Sequence, residues 1–141
     1  MTKQPPPLCP SAQPEMEGVR LLGVVTATED GPRLAYLREE VPVTKDLLSQ
    51  TAPVPPAEVF RFAARCEEKR CTHFNGERCK LAGRVVQILP AVVDALPVCL
   101  IRSNCRWFQQ EGREACVRCP QVVTEMMNPS VDYEKAALPG D

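Results

Sequence analysis

A chain of 141 residues suffices for one compact domain, and a net charge of −1 with an isoelectric point near 5.9 argues against a general nucleic-acid binder. Aromatic residues make up only 5% of the chain while prolines number 15 and cysteines 8, so the apolar core is modest and cross-links by metal or disulfide are expected to support it. The longest apolar stretch, Val85 to Ile101, is interrupted by Gln87, Pro90, Asp94 and Pro97, which excludes a membrane-spanning helix.

In chain order, residues 1–17 are rich in Pro and Gln, lack the apolar core of a signal peptide, and read as a disordered tail in which Cys9 is a free thiol. Residues 18–50 read as a β-hairpin and a short helix. The strands are Val19–Thr26 and Arg33–Leu37, the turn is Glu29-Asp30-Gly31-Pro32, and Thr44 caps a helix running to Gln50. Leu21, Gly23, Val25 and Ala27 fall on one face of the first strand, Leu22, Val24 and Thr26 on the other. Both faces are largely apolar, so one is expected to cover the cysteine core and the other to meet a partner or a second copy of the chain, as a homodimer through the hairpin. Residues 51–56 are a proline-stiffened connector.

Residues 57–127 read as a cysteine-rich, α-rich core, and residues 128–141 as an acidic tail. Pro56 suits a helix start, and Val59, Phe60, Ala63 and Cys66 recur on one face of a helix predicted over Ala57–Arg70. Further helices are predicted over Arg84–Leu89, Pro90–Leu96 and Gln121–Met127. The fold class is α+β: a small irregular metal-cluster fold, an N-terminal hairpin followed by the cysteine core. That core carries an internal pseudo-repeat, in which Cys66, Cys71, His73-Phe74, Cys79 and Val85-Val86 align with Cys99, Cys105, Trp107-Phe108, Cys116 and Val122-Val123.

The chemistry lies in seven cysteines, Cys66, Cys71, Cys79, Cys99, Cys105, Cys116 and Cys119, separated in turn by 4, 7, 19, 5, 10 and 2 residues. In a reducing, cytoplasmic compartment such a cluster reads as metal ligands. Structural zinc sites usually use two short Cys-x2-4-Cys knuckles, and only Cys116 and Cys119 have that form. Wide, irregular gaps suit a larger inorganic core, so one or two iron–sulfur clusters of the 4Fe–4S type are expected, with zinc as the alternative. The Cys119-Pro120 close resembles that of bacterial ferredoxin motifs, but the Cys-x2-Cys-x2-Cys run before it is missing, so no ferredoxin fold or site assignment is implied. Seven thiolates do not make two sets of four. His73, the only histidine, is a candidate eighth ligand, although its match to Trp107 favours a packing role.

Residues 61–120 carry 11 Lys and Arg against 6 Asp and Glu, a net of +5 that coincides with these cysteines and suits thiolate ligands. Phe74, Trp107 and Phe108 are the candidate apolar shield. No Gly-rich phosphate loop, nucleophile elbow or His-Glu-x-x-His motif is present, so an electron carrier or accessory protein is expected before an enzyme. The expected function is electron delivery to a protein redox partner, with no nucleic acid and no membrane. The alternatives are a zinc-stabilised interaction module and an iron–sulfur redox or iron sensor.

Overall fold

The computed structural model describes residues 7–68, 71–124 and Ala136. Strands β1 (Leu8–Ala12), β2 (Arg20–Thr28), β3 (Gly31–Tyr36) and β4 (Phe60–Arg65) form one antiparallel sheet in the order β1-β4-β2-β3. Helices α1 (Lys45–Ser49), α2 (Pro56–Val59), α3 (Lys80–Ile88), α4 (Arg106–Glu111) and α5 (Arg113–Cys116) complete an α+β fold. None of the described helices is long and apolar enough to cross a membrane.

The hairpin forms as its turn chemistry dictates. Thr28 pairs with Gly31, which adopts φ +112°, and the Thr28 hydroxyl both donates to the Gly31 carbonyl (2.7 Å) and accepts from the Asp30 N–H (3.2 Å). Gly23 is needed for close strand approach, since a Cβ there would lie 2.4 Å from the Ala35 carbonyl oxygen. The helix predicted after Thr44 is α1, with the Thr44 hydroxyl accepting from the Leu47 N–H at 3.1 Å.

Two readings from sequence are corrected. Leu8–Ala12, expected to be disordered, is an edge strand paired with β4, where Pro10 and an adjacent register shift are tolerated. The helix predicted over Ala57–Arg70 stops at Val59 and gives way to β4; Lys69 and Arg70 lie outside the described residues. The residues of β4 obey a period of two. Phe60, Phe62 and Ala64 join one core cluster while Ala63 joins the other, and pairing with β1 and β2 satisfies the backbone on both sides. The connector over residues 51–56 begins with a turn, Val54 N–H bonding the Thr51 carbonyl (2.9 Å), and the strands on either side of it, β2, β3 and β4, lie in one sheet.

Both hairpin faces are buried near its base, as the pattern requires, but this chain covers both. Leu21 and Val24 belong with Phe60, Phe62 and α1 residues Leu47 and Leu48, whereas Leu22 and Val25 belong with the cysteine side. A register shift between Leu21 and Gly23 explains why the strict alternation expected from sequence does not hold. The second face therefore supplies no separate motive for a homodimer. On the cysteine side, α3 is observed from Lys80 rather than Arg84, and no helix forms over Pro90–Leu96, where prolines bracket the segment. Gln121 ends a 3₁₀ turn (Cys119–Gln121) and Val122 and Val123 are non-helical; residues 125–127 of the predicted fourth helix lie outside the described residues, as does the acidic tail apart from buried Ala136.

Candidate metal centres

All eight cysteines are free thiols, and the fold sorts them four and four. Cys9, Cys66, Cys71 and Cys79 line a cavity of about 350 Å³. Cys99, Cys105, Cys116 and Cys119 line a far tighter one of about 20 Å³. Trp107, 1% exposed, lines both.

Local structure explains how each thiol arrives. Cys9 sits on β1 opposite Ala64, and Cys66 follows β4 directly, its N–H bonding the Pro7 carbonyl (2.9 Å) as a continuation of the β1–β4 ladder. Cys71 is turned by an N–H bond to the Glu68 carbonyl (2.8 Å), and Cys79 is the N-cap of α3. In the second set Cys105 is the N-cap of α4 and bridges to Leu8, Cys116 ends α5, and Cys119 opens the 3₁₀ turn before Pro120. The residue before Cys9 thus touches the second set while Cys9 itself joins the first.

The sulfurs are held as acceptors. Backbone N–H groups two or three residues ahead bond to Cys9 (from Ser11), Cys79 (Leu81 and Ala82), Cys99 (Ile101) and Cys105 (Trp107 and Phe108). Such bonds favour the thiolate, as does the guanidinium of Arg102 on Cys116, while that of Arg61 donates to Cys119 Sγ at 2.8 Å. Burial opposes them. It pushes the Cys9 and Cys105 thiols up to about 12, and raises Cys79, Cys99 and Cys116 as well. Charge on one thiol also penalises charge on the next. Cys9 feels Cys79, Cys66 and Cys71, while Cys105 feels Cys119 and Cys99, each within its own set. Burial thus strengthens proton retention at Cys9, Cys79, Cys99, Cys105 and Cys116, and a metal would displace those protons.

Three buried side-chain N–H groups among the described residues have no partner: Arg102 Nε, Arg106 Nε and Trp107 Nε1. All three belong to cavity walls, Arg106 to the first, Arg102 to the second and Trp107 to both. An unsatisfied buried donor costs about 1–3 kcal/mol, and the sulfides and thiolates of an iron–sulfur cluster are acceptors that answer that need. No three His, Cys, Asp or Glu side chains among the described residues converge as a single metal ion requires.

His73 also lines the first cavity, but its Nδ1 lies 2.8 Å from Arg84 Nη2. Arginine can only donate, so Nδ1 accepts and the ring proton sits on Nε2, leaving no free lone pair for a metal. Burial and then Arg84 lower its pKa, keeping the ring neutral. The fourth cysteine lining that cavity is Cys9. Comparison with known proteins adds nothing to this: no family model, no curated protein and no solved structure matches the chain.

Cys9 and Arg61 escaped the sequence reading. A signal for Cys9 was present, for Cys9-Pro10 repeats the Cys119-Pro120 dipeptide and places one Cys-Pro step in each set. Arg61 had a weaker one, as a lone charge within Phe-Arg-Phe-Ala-Ala. The pseudo-repeat finds support in the grouping, since Cys66, Cys71 and Cys79 go to one set and Cys99, Cys105 and Cys116 to the other. It fails as a repeat of Cys-loop-helix units: α3 carries Val85-Val86, whereas Val122-Val123 are not helical.

Proposed function

We propose that this chain is a two-centre iron–sulfur protein that carries electrons to a partner oxidoreductase in a reducing, cytoplasmic compartment. In this reading one 4Fe–4S cluster is held by Cys9, Cys66, Cys71 and Cys79 and a second by Cys99, Cys105, Cys116 and Cys119. The observation that carries it is the sorting of all eight thiols into two sets of four with Trp107 between them. Each four-iron cluster takes four thiolates, so eight is the complement of two.

A bound cluster supplies the one-electron chemistry. The chain supplies the ligands, N–H donors to their sulfurs, cations beside Cys116 and Cys119, and apolar walls that exclude water. These are the features by which a protein sets cluster potential. Two adjacent centres in one small fold suit passage or storage of electrons better than substrate chemistry, for which no further acid, base or nucleophile motif is present.

The test is spectroscopic. Anaerobically purified protein should show the broad visible absorption of iron–sulfur clusters, bleach on reduction with dithionite, and recover on reoxidation without loss of iron. A colourless protein with stoichiometric zinc, or a colour that reduction destroys for good, counts against electron transfer.

A further inference from the structure

Arg61 is the only charged residue that is buried among those described, with 0% exposure, and it stands on the central strand β4. Its Nε donates to the Pro10 carbonyl (2.7 Å), its Nη1 to the carbonyls of Cys119 and Val122, and its Nη2 to Cys119 Sγ (2.8 Å). The guanidinium also lies over the Trp107 ring, 5.6 Å from its centroid. A cation in so dry a place is costly unless an anion answers it, and one of its partners is a cysteine sulfur. The two sets of thiols are not equally served. Beside the first, Arg65 and Arg106 line the cavity together with Glu67, Arg106 is paired with Glu68 (3.4 Å), and Arg84, bonded to His73 (2.8 Å), lies near Cys79, but no guanidinium among the described residues is seen to donate to a sulfur of that set. Beside the second, Arg61 reaches Cys119 and Arg102 reaches Cys116, and no carboxylate lines that cavity.

We propose that Arg61 is a positioning residue that makes the Cys99, Cys105, Cys116 and Cys119 centre the easier of the two to reduce, so that the electron the chain carries comes to rest there. This rests on the two-centre reading above. One electron enters from a low-potential donor, no bond is made or broken in the chain, and the added negative charge is stabilised most where a fixed, desolvated cation lies against a ligand sulfur. Hydrogen bonding to that sulfur acts in the same direction. Through Pro10 the same side chain is tied to the strand that presents Cys9, and through Trp107 to the wall both cavities share, so it holds the second centre in register with the first.

The experiment is an anaerobic dithionite titration of the cluster-loaded full chain, followed by electron paramagnetic resonance, with iron content measured in each sample. Wild type should reduce in two steps. Cys71→Ala, which removes a thiol of the first set, should lose the lower-potential step and keep the upper one. Arg61→Gln should retain its iron and shift the upper step down by about tenfold in the reduction equilibrium, which is 59 mV for a one-electron couple, leaving the lower step in place. Arg61→Lys, which keeps the charge but not the fork, should shift it less. Loss of the upper step in Cys71→Ala, or an Arg61→Gln titration in which both steps move together or neither moves, overturns the proposal. Should Arg61→Gln fail to fold, Cys71→Ala and Arg61→Lys still decide it. Wild-type protein that takes up no iron overturns the two-centre reading itself, a result distinct from two intact clusters indifferent to Arg61.

Discussion

Replacing Cys9 by Ser separates the four-and-four grouping from the seven-cysteine grouping that sequence suggests. Cys9 is half-buried on an edge strand, and the substitution is nearly isosteric. The fold itself should lose no more than about 1 kcal/mol, the ordinary cost of a mild substitution away from the packed core. The metal content should respond far more strongly. Cys9 supplies one of four thiols to the first cavity, and no other cysteine is free to replace it, because the remaining four line the second. Iron and acid-labile sulfide per chain should therefore fall by about half, from about eight of each to about four, the content of one four-iron cluster. The visible absorption should halve with them, while the far-ultraviolet circular dichroism keeps its strand signal. Iron and sulfide assays on anaerobically reconstituted protein read the result. An unchanged content of eight would show that Cys9 is the free thiol its N-terminal position suggests, and the grouping would be wrong.

Three further outcomes follow from the same geometry. Phe62 is 0% exposed in the cluster remote from the cysteines, edge-on to Phe60 at 6.1 Å, so Phe62→Ala should destabilise by about 3–5 kcal/mol in urea melts while leaving the iron content at native conditions unchanged. The pH dependence has a definite sign. Cys9 and Cys105 have folded pKa values raised from 9.0 to about 12, so the metal-free fold binds more protons than the unfolded chain above pH 9 and should lose stability as pH rises from 9 towards 12, by up to about 4 kcal/mol per thiol. Metal uptake releases those protons, so loading should strengthen as pH rises, and melts of empty and loaded protein across that range read both effects. The single tryptophan, Trp107, lines both cavities, so its fluorescence should be quenched on cluster loading and restored by chelation; emission indifferent to loading would place the metal elsewhere.

The parts legible in the sequence are those governed by local rules. The hairpin could be read from a turn between two apolar runs, and α1 from Thr44. What escaped depends on partners far along the chain. Residues 57–65 suit a helix by composition, yet Phe60–Arg65 is a strand because β1 and β2 offer it hydrogen bonds on both edges, and its own residues do not name those neighbours. The same pairing explains the error at Cys9. A Pro-rich segment reads as disordered until a strand some fifty residues away gives it a ladder, as the Cys9–Ala64 pair does. For His73, whose match to Trp107 favoured packing over ligation, the Arg84 guanidinium at Nδ1 adds what sequence could not show, that this lone pair is taken. Arg61 is the extreme case, a charge in the middle of the sheet that makes sense only beside Cys119.

Native mass spectrometry of the anaerobically purified full chain counts inorganic cores on the intact protein. Two centres per chain should give a single dominant species carrying two 4Fe–4S clusters, and a Cys9→Ser chain should carry one. A wild-type chain that holds one cluster, or zinc ions in place of iron and sulfide, would contradict the two-centre reading.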